Sequence, residues 1–160
     1  LVRHRATLIL LVSIALAPTA ASSSTQPELC KPDEQTVWSC STKSKTYSVC
    51  ASSKLDDSSG YMQYRVAKGS AIEFTYPEDR RHPKGIFEYW MLARGGSLEF
   101  ENNGFRYTIY EPAIGPTSIV VMQASDEIAS IQCDTATATL TLTTTINQFK
   151  TVGVLVEHGP

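Results

Sequence analysis

Several signatures of enzyme or cofactor chemistry are missing from this 160-residue chain. It has four cysteines but no C-x-x-C pair, and beyond the N-terminal segment its only histidines are His82 and His158, far apart. A structural zinc site needs clustered nitrogen and sulfur ligands, so no metal is expected. No G-x-S-x-G elbow presents a nucleophile. Gly95-Gly96 reads as a hairpin turn without the spacing or following helix of a phosphate-binding loop, and no cofactor is expected. There is no N-x-S/T sequon. Positive charge is scarce: 14 Lys+Arg face 16 Asp+Glu, a net charge of −2 that argues against a nucleic-acid partner. The longest apolar run, Leu8 to Ala17, falls well short of the roughly 20 residues a membrane-spanning helix requires. With 42% hydrophobic residues, 8 prolines and 9 glycines, the chain is too apolar for a disordered tail and is sized for one domain.

What is present begins with export. Arg3, His4 and Arg5 precede the apolar run, and small residues follow Pro18, the pattern of a secretory signal peptide over residues 1–21 with cleavage after Ala21. Cys30 lies too far from the run for a lipid anchor, so no membrane anchor is expected after cleavage. The segment removes two arginines and no acid, leaving 12 basic against 16 acidic residues, a net −4. That balance favours a basic protein partner. The rest divides into a polar leader (22–35), a β-domain (36–145) and a C-terminal tail (146–160) expected to fray.

Four cysteines in an exported chain predict two disulfides. Three pairings are possible. Folding VWSCSTKSKTYSVCAS about residues 44–46 sets Cys40 opposite Cys50. Cys30 and Cys133 then form the second bridge.

Short alternating runs predict strands at 36–42, 46–51, 61–66, 71–76, 86–93, 97–102, 105–110, 117–123, 127–132 and 135–145, separated by Gly, Pro and Asn-Gly punctuation. The fold class is all-β: an antiparallel sandwich or barrel of about 8–10 short strands, stapled by disulfides. In SLEFENNGFRYTIY, Asn103-Gly104 supplies a type I′ turn. Leu98 and Phe100 alternate with Glu99 and Glu101, and Phe105, Tyr107 and Ile109 with Arg106 and Thr108. The run 118–122 is nearly continuous apolar and predicts a central strand. The Thr-rich segment TATATLTLTTT has the period of a strand and could serve as an assembly edge.

Candidate chemistry is sparse. In EDRRHP, His82 could be a base oriented by Glu78 or Asp79, but a solvated loop is the favoured reading of the segment. Glu88, Glu99 and Glu101 read as outward-facing solubilisers, among which a glycosidase pair would depend on carboxylate separation. Tyr61, Tyr64, Tyr76, Tyr89, Trp90, Tyr107 and Tyr110 suit either an interface or a core. Tyr61, Gln63 and Arg65 share one face of a strand while Met62, Tyr64 and Val66 share the other, which makes Tyr64 the core candidate and leaves Tyr61 and Arg65 more exposed.

VWSCSTKSKTYSVCAS, SSGYMQYRVAKGSAIEFTYP, HPKGIFEYWMLARGGSLEFENNGFRYTIYEP and IASIQC together resemble small exported proteobacterial β-proteins of uncharacterised function, over about Val37 to Cys133. This resemblance implies a secreted β-domain. A weaker one runs to periplasmic lysozyme inhibitors, several of which present an SGxxY-like loop to the lysozyme cleft. Here Ser59-Gly60 is followed by Tyr64, one residue beyond that spacing, and by Tyr61, too close. The resemblance implies partner binding through Ser59, Gly60, Tyr61 and Arg65, with the Ser59 hydroxyl or the Arg65 guanidinium meeting a catalytic carboxyl. The expectation is a non-enzymatic periplasmic or secreted binding protein, with lysozyme inhibition its sharpest form. The alternatives are an envelope structural or adhesion module and an unrecognised hydrolase.

Overall fold

Period-two alternation carries through the computed structural model, which describes residues 29–134 and 141–157. Strands β1 (Glu34–Ser41), β2 (Thr46–Ser52), β3 (Met62–Lys68) and β4 (Ala71–Tyr76) form one antiparallel sheet. The other contains β5 (Glu88–Leu92), β6 (Gly95–Asn102), β7 (Phe105–Pro112), β8 (Ser118–Gln123) and β9 (Asp126–Gln132). Each strand pairs with its neighbour in sequence, so both sheets are meanders, and they face one another as a sandwich rather than closing into a barrel. At the β6–β7 turn Asn103 (φ 51°) and Gly104 (φ 80°) adopt the positive φ of a type I′ turn. The turn before β6 uses Ala93-Arg94, not Gly95-Gly96, which instead start the strand. A Cβ on Gly96 would collide with the Tyr89 hydroxyl, so its bareness makes room for that ring.

The inner faces meet on aromatic rings. Phe100 lies 4.7 Å from Tyr107, 4.9 Å from Tyr76, 5.1 Å from Tyr64 and 5.4 Å from Phe87, centroid to centroid. Burying each such side chain stabilises by roughly 1.5–3 kcal/mol. Tyr64, Tyr76, Tyr89 and Tyr107 therefore belong to the core or its margin, while Trp90 and Tyr110 flank Ser97 on the outer face of the second sheet.

The C-terminal part departs from the alternation. Residues Thr141–Thr144 (α1) and Ile146–Thr151 (α2) are helical, which corrects the strand expected over 135–145 and the fraying expected from 146. Residues 135–140 lie outside the described residues. Leu142, Ile146 and Phe149 follow i, i+4, i+7 and pack on the core, a helical period that the Thr-Leu alternation masks. Beyond α2, the Tyr89 N–H donates to Val154 O (2.8 Å) and the Val156 N–H to Tyr89 O (2.9 Å), so 154–156 covers the free edge of β5. No helix among the described residues is long and apolar enough to cross a membrane.

The disulfides are Cys30–Cys50 and Cys40–Cys133, which corrects the expected Cys40–Cys50 and Cys30–Cys133 pairing. The reason lies in the first turn. The Thr42 hydroxyl accepts from the Lys45 N–H (3.1 Å) while the Thr42 N–H donates to Lys45 O (2.9 Å). The hairpin therefore centres on 43–44 and sets Cys40 opposite Tyr47. A bulge at Val37 then brings Thr36 opposite Cys50. Cys40 points into the sandwich with Tyr47 and Val66, whereas Cys50 points outward beside Gln63. Opposite faces of one sheet do not cross-link.

Candidate functional site

The outer face of the first sheet carries polar residues at alternate positions, and one end of it is sealed. Residues 29–34 fold across it, tied by Cys30–Cys50, and Leu29 and Cys30 are buried there. Beneath them Arg65 makes a fork with Glu34: Nη1 donates to Oε2 (2.6 Å) and Nη2 to Oε1 (2.7 Å). Nη1 also donates to Leu29 O (3.0 Å) and Nη2 to Gln63 Oε1 (2.7 Å). The Gln63 amide in turn donates to Pro77 O (2.9 Å) and Glu78 O (3.2 Å). Glu34 further accepts from the Lys31 N–H (2.7 Å) and the Tyr61 hydroxyl (2.5 Å). The side-chain exposures of Arg65 and Glu34 are 5% and 0%. Burial pushes the Glu34 carboxyl up, but the bonds from Arg65, Tyr61 and Lys31 outweigh it and hold the carboxyl at about 2.

This corrects the expectation that Arg65 is exposed. Its charge is spent internally, and the cation beside Tyr61 is Arg80. Its guanidinium carbon lies 4.7 Å from the Tyr61 ring centroid, and Nη2 lies 3.9 Å from Glu34 Oε1.

Ser59 and Gly60 sit on the loop between β2 and β3. Its base is closed by Ser52 N–H to Tyr61 O (3.0 Å) and Tyr61 N–H to the Ser52 hydroxyl (3.1 Å). At its tip Asp56 accepts from the Ser59 N–H (2.8 Å) and hydroxyl (2.9 Å), and from the Ser58 N–H (3.0 Å). These bonds from Ser58 and Ser59 lower the Asp56 carboxyl. Gly60 has φ +92°, and a Cβ there would fall 2.5 Å from Lys54 O, so only glycine fits. Ser59 is exposed while its hydroxyl already donates to Asp56.

His82 is not placed as a base oriented by Glu78 or Asp79. The Lys84 N–H donates to Nδ1 (3.4 Å), which leaves Nε2–H to donate to Asp56 O (2.9 Å). The ring pins the loop from the 77–84 segment. Asp56 and the pattern D-D-S-S-G were readable as an Asx turn, whereas nothing local marks Glu34 or Arg80 as partners of Tyr61.

On the second sheet Glu88 stands directly opposite Glu99, and Glu101 opposite Arg106, which donates to it from Nη2 (2.8 Å) and Nε (3.1 Å). With Trp90 they line a depression of about 410 Å³. Partial burial raises the Glu99 carboxyl, and Glu88 and Glu101 add to the rise against Arg106.

The group of Cys and carboxylate side chains close enough to share a metal ion, among the described residues, is Cys30, Glu34 and Cys50, whose sulfurs are bonded to each other. Compared with protein-family models, curated proteins and solved structures, the chain finds no match.

Proposed function

We propose that the chain is an exported, non-enzymatic binding protein of the cell envelope, periplasmic or secreted, whose contact surface is the 52–61 loop with Tyr61 and Arg80 at its base. The observation that carries this reading is the exposed tip at residues 56–59, held in one shape by Asp56 and by His82 before any partner arrives. A fixed loop loses little entropy on docking. The acidic mature charge favours a cationic partner, and lysozyme is the partner to test first. The recognising groups are then the loop backbone, Asp57 and the Tyr61–Arg80 pair, since Arg65 and the Ser59 hydroxyl are engaged within the protein. Purified protein is added to c-, g- and i-type lysozymes. Inhibition that Ser59→Arg abolishes at an unchanged thermal midpoint supports the reading, and undiminished lysis by all three enzymes overturns its lysozyme form.

A second reading, a glycoside hydrolase, is favoured by one observation: Glu88 and Glu99 face each other beside Trp90, with Glu99 the one held toward its protonated form. A carboxyl held toward its protonated form beside a second carboxyl group is the arrangement that acid-catalysed glycoside cleavage uses. Turnover of chromogenic glycosides that disappears in Glu99→Gln supports it, and inertness toward such a panel rejects it.

A further inference from the structure

A cleft of about 890 Å³ runs along the outer edge of β4. It is lined from both faces of that strand, with Phe74 and Tyr76 on the inner side and Thr75 on the outer. β4 ends the first sheet. One of its edges pairs with β3, and among the described residues no backbone hydrogen bond engages the other. The corresponding edge of β5 is covered by 154–156, and β9 opens with the exposed acids Asp126 and Glu127. β4 has no such guard. Its one charged residue, Glu73, is held by Lys45 at 2.6 Å, and Ile72 is 55% exposed. An uncovered edge of this kind accepts an added strand, with the main chain supplying affinity and flanking side chains supplying choice.

The flanking charges make that choice. Arg65 is neutralised by Glu34 and Glu73 by Lys45. Of the remaining cations Lys31, Arg80 and Arg81, Arg80 also lies 3.9 Å from Glu34 Oε1 and Arg81 lies 3.6 Å from Asp79 at the rim, while Glu78 lines the cleft beside them. Three cations against Glu78 and Asp79 leave a small local excess of positive charge beside the open edge of a protein whose net charge is −2. We propose that the β4 edge and the Lys31–Arg80–Arg81 cleft beside it receive an extended acidic peptide, which adds as a fifth strand to the first sheet. The six residues of β4 offer about 20 Å of pairing edge. This surface shares Arg80 with the base of the 52–61 loop but not the loop's tip, and Lys31 belongs to it alone.

The probe is a fluorescent peptide of alternating Glu and Val, followed by anisotropy with the purified protein. Its controls are a Lys/Val peptide and a Glu/Val peptide N-methylated on alternate amides. Binding is expected for Glu/Val alone, weakening with added salt and dropping at least about tenfold in Arg80→Glu/Arg81→Glu. Lys31→Glu, whose side chain lies outside the Tyr61–Glu34 contacts, gives the same test should the double variant be unstable. Equal binding of the Lys/Val or N-methylated peptide, or affinity indifferent to these substitutions, overturns the proposal. A concentration-dependent dimer in sedimentation that the Glu/Val peptide fails to dissociate also overturns it, because a second copy then occupies the edge.

Discussion

On the outer face of the first sheet, Arg65 and Glu34 lie sealed by residues 29–33 and bonded to each other through both terminal guanidinium nitrogens. On the outer face of the second, Glu88 and Glu101 stand in water and Glu99 is half-buried, with Arg106 answering only one of the three. Both faces carry charge at alternate strand positions. Covering a face turns such charges into a network that must be complete, whereas leaving it wet lets repulsive neighbours persist at small cost. The first sheet therefore has its stability tied to individual polar atoms, and the second does not.

Removing one member of the sealed pair breaks this contrast most severely. Arg65→Met leaves Glu34 buried without its cation and is expected to cost about 3–5 kcal/mol in urea denaturation. Glu34→Leu/Arg65→Met together should recover most of the loss, and equal losses in both variants would mean that the side chains matter by packing alone.

Removing the staple over the same face comes next. Cys30→Ala/Cys50→Ala opens a bridge of sequence separation 20 and is expected to cost roughly 3 kcal/mol. Peptide mapping of the unreduced protein should recover Cys30 with Cys50 and Cys40 with Cys133.

Acid probes the face without mutation. The Glu34 carboxyl is held at about 2 when folded against 4.5 ordinarily, so the folded state binds its proton less readily than the unfolded chain. Its stabilisation is full above the ordinary value and fades as pH falls from about 5 to 2, a loss of about 3 kcal/mol. Glu34→Gln should flatten that part of the stability–pH curve.

The second sheet should answer weakly and with opposite sign. Glu99 is raised when folded, so its ionisation opposes folding once pH exceeds the raised value and ceases to matter below the ordinary glutamate range. Glu99→Gln is expected to stabilise by under about 1 kcal/mol at neutral pH and to change nothing in acid. A destabilised Glu99→Gln would show that the wet face, too, depends on a specific network.

The contrast also marks what the sequence made legible. Strands of the second sheet alternate plainly, and Asn103-Gly104 fixes its central hairpin, so Leu98, Phe100 and Ile109 were readable as core. Arg65 was not, because an alternating polar position says which way a side chain points and not whether another segment lies over it. The disulfide pairing failed on a turn misplaced by little more than a residue, enough to exchange the faces of Cys40 and Cys50. Thr141–Thr144 failed because a run of Leu and Thr satisfies a two-residue period while Leu142, Ile146 and Phe149 satisfy a helical one. Of the site, the loop tip was visible in its serines and glycine. Its supports, Glu34 and Arg80, come from distant parts of the chain.

The pairing of cysteines out of sequence order has a consequence for biogenesis. A chain emerging N-terminus first, from the ribosome or through a membrane channel, presents Cys30, Cys40 and Cys50 long before Cys133, which lies 93 residues beyond its partner Cys40. An oxidant that joins cysteines as they appear would link Cys30 to Cys40 and strand Cys50. The first meander, once folded, hides Cys40 inside and turns Cys50 toward Cys30, so early sheet formation protects the waiting thiol.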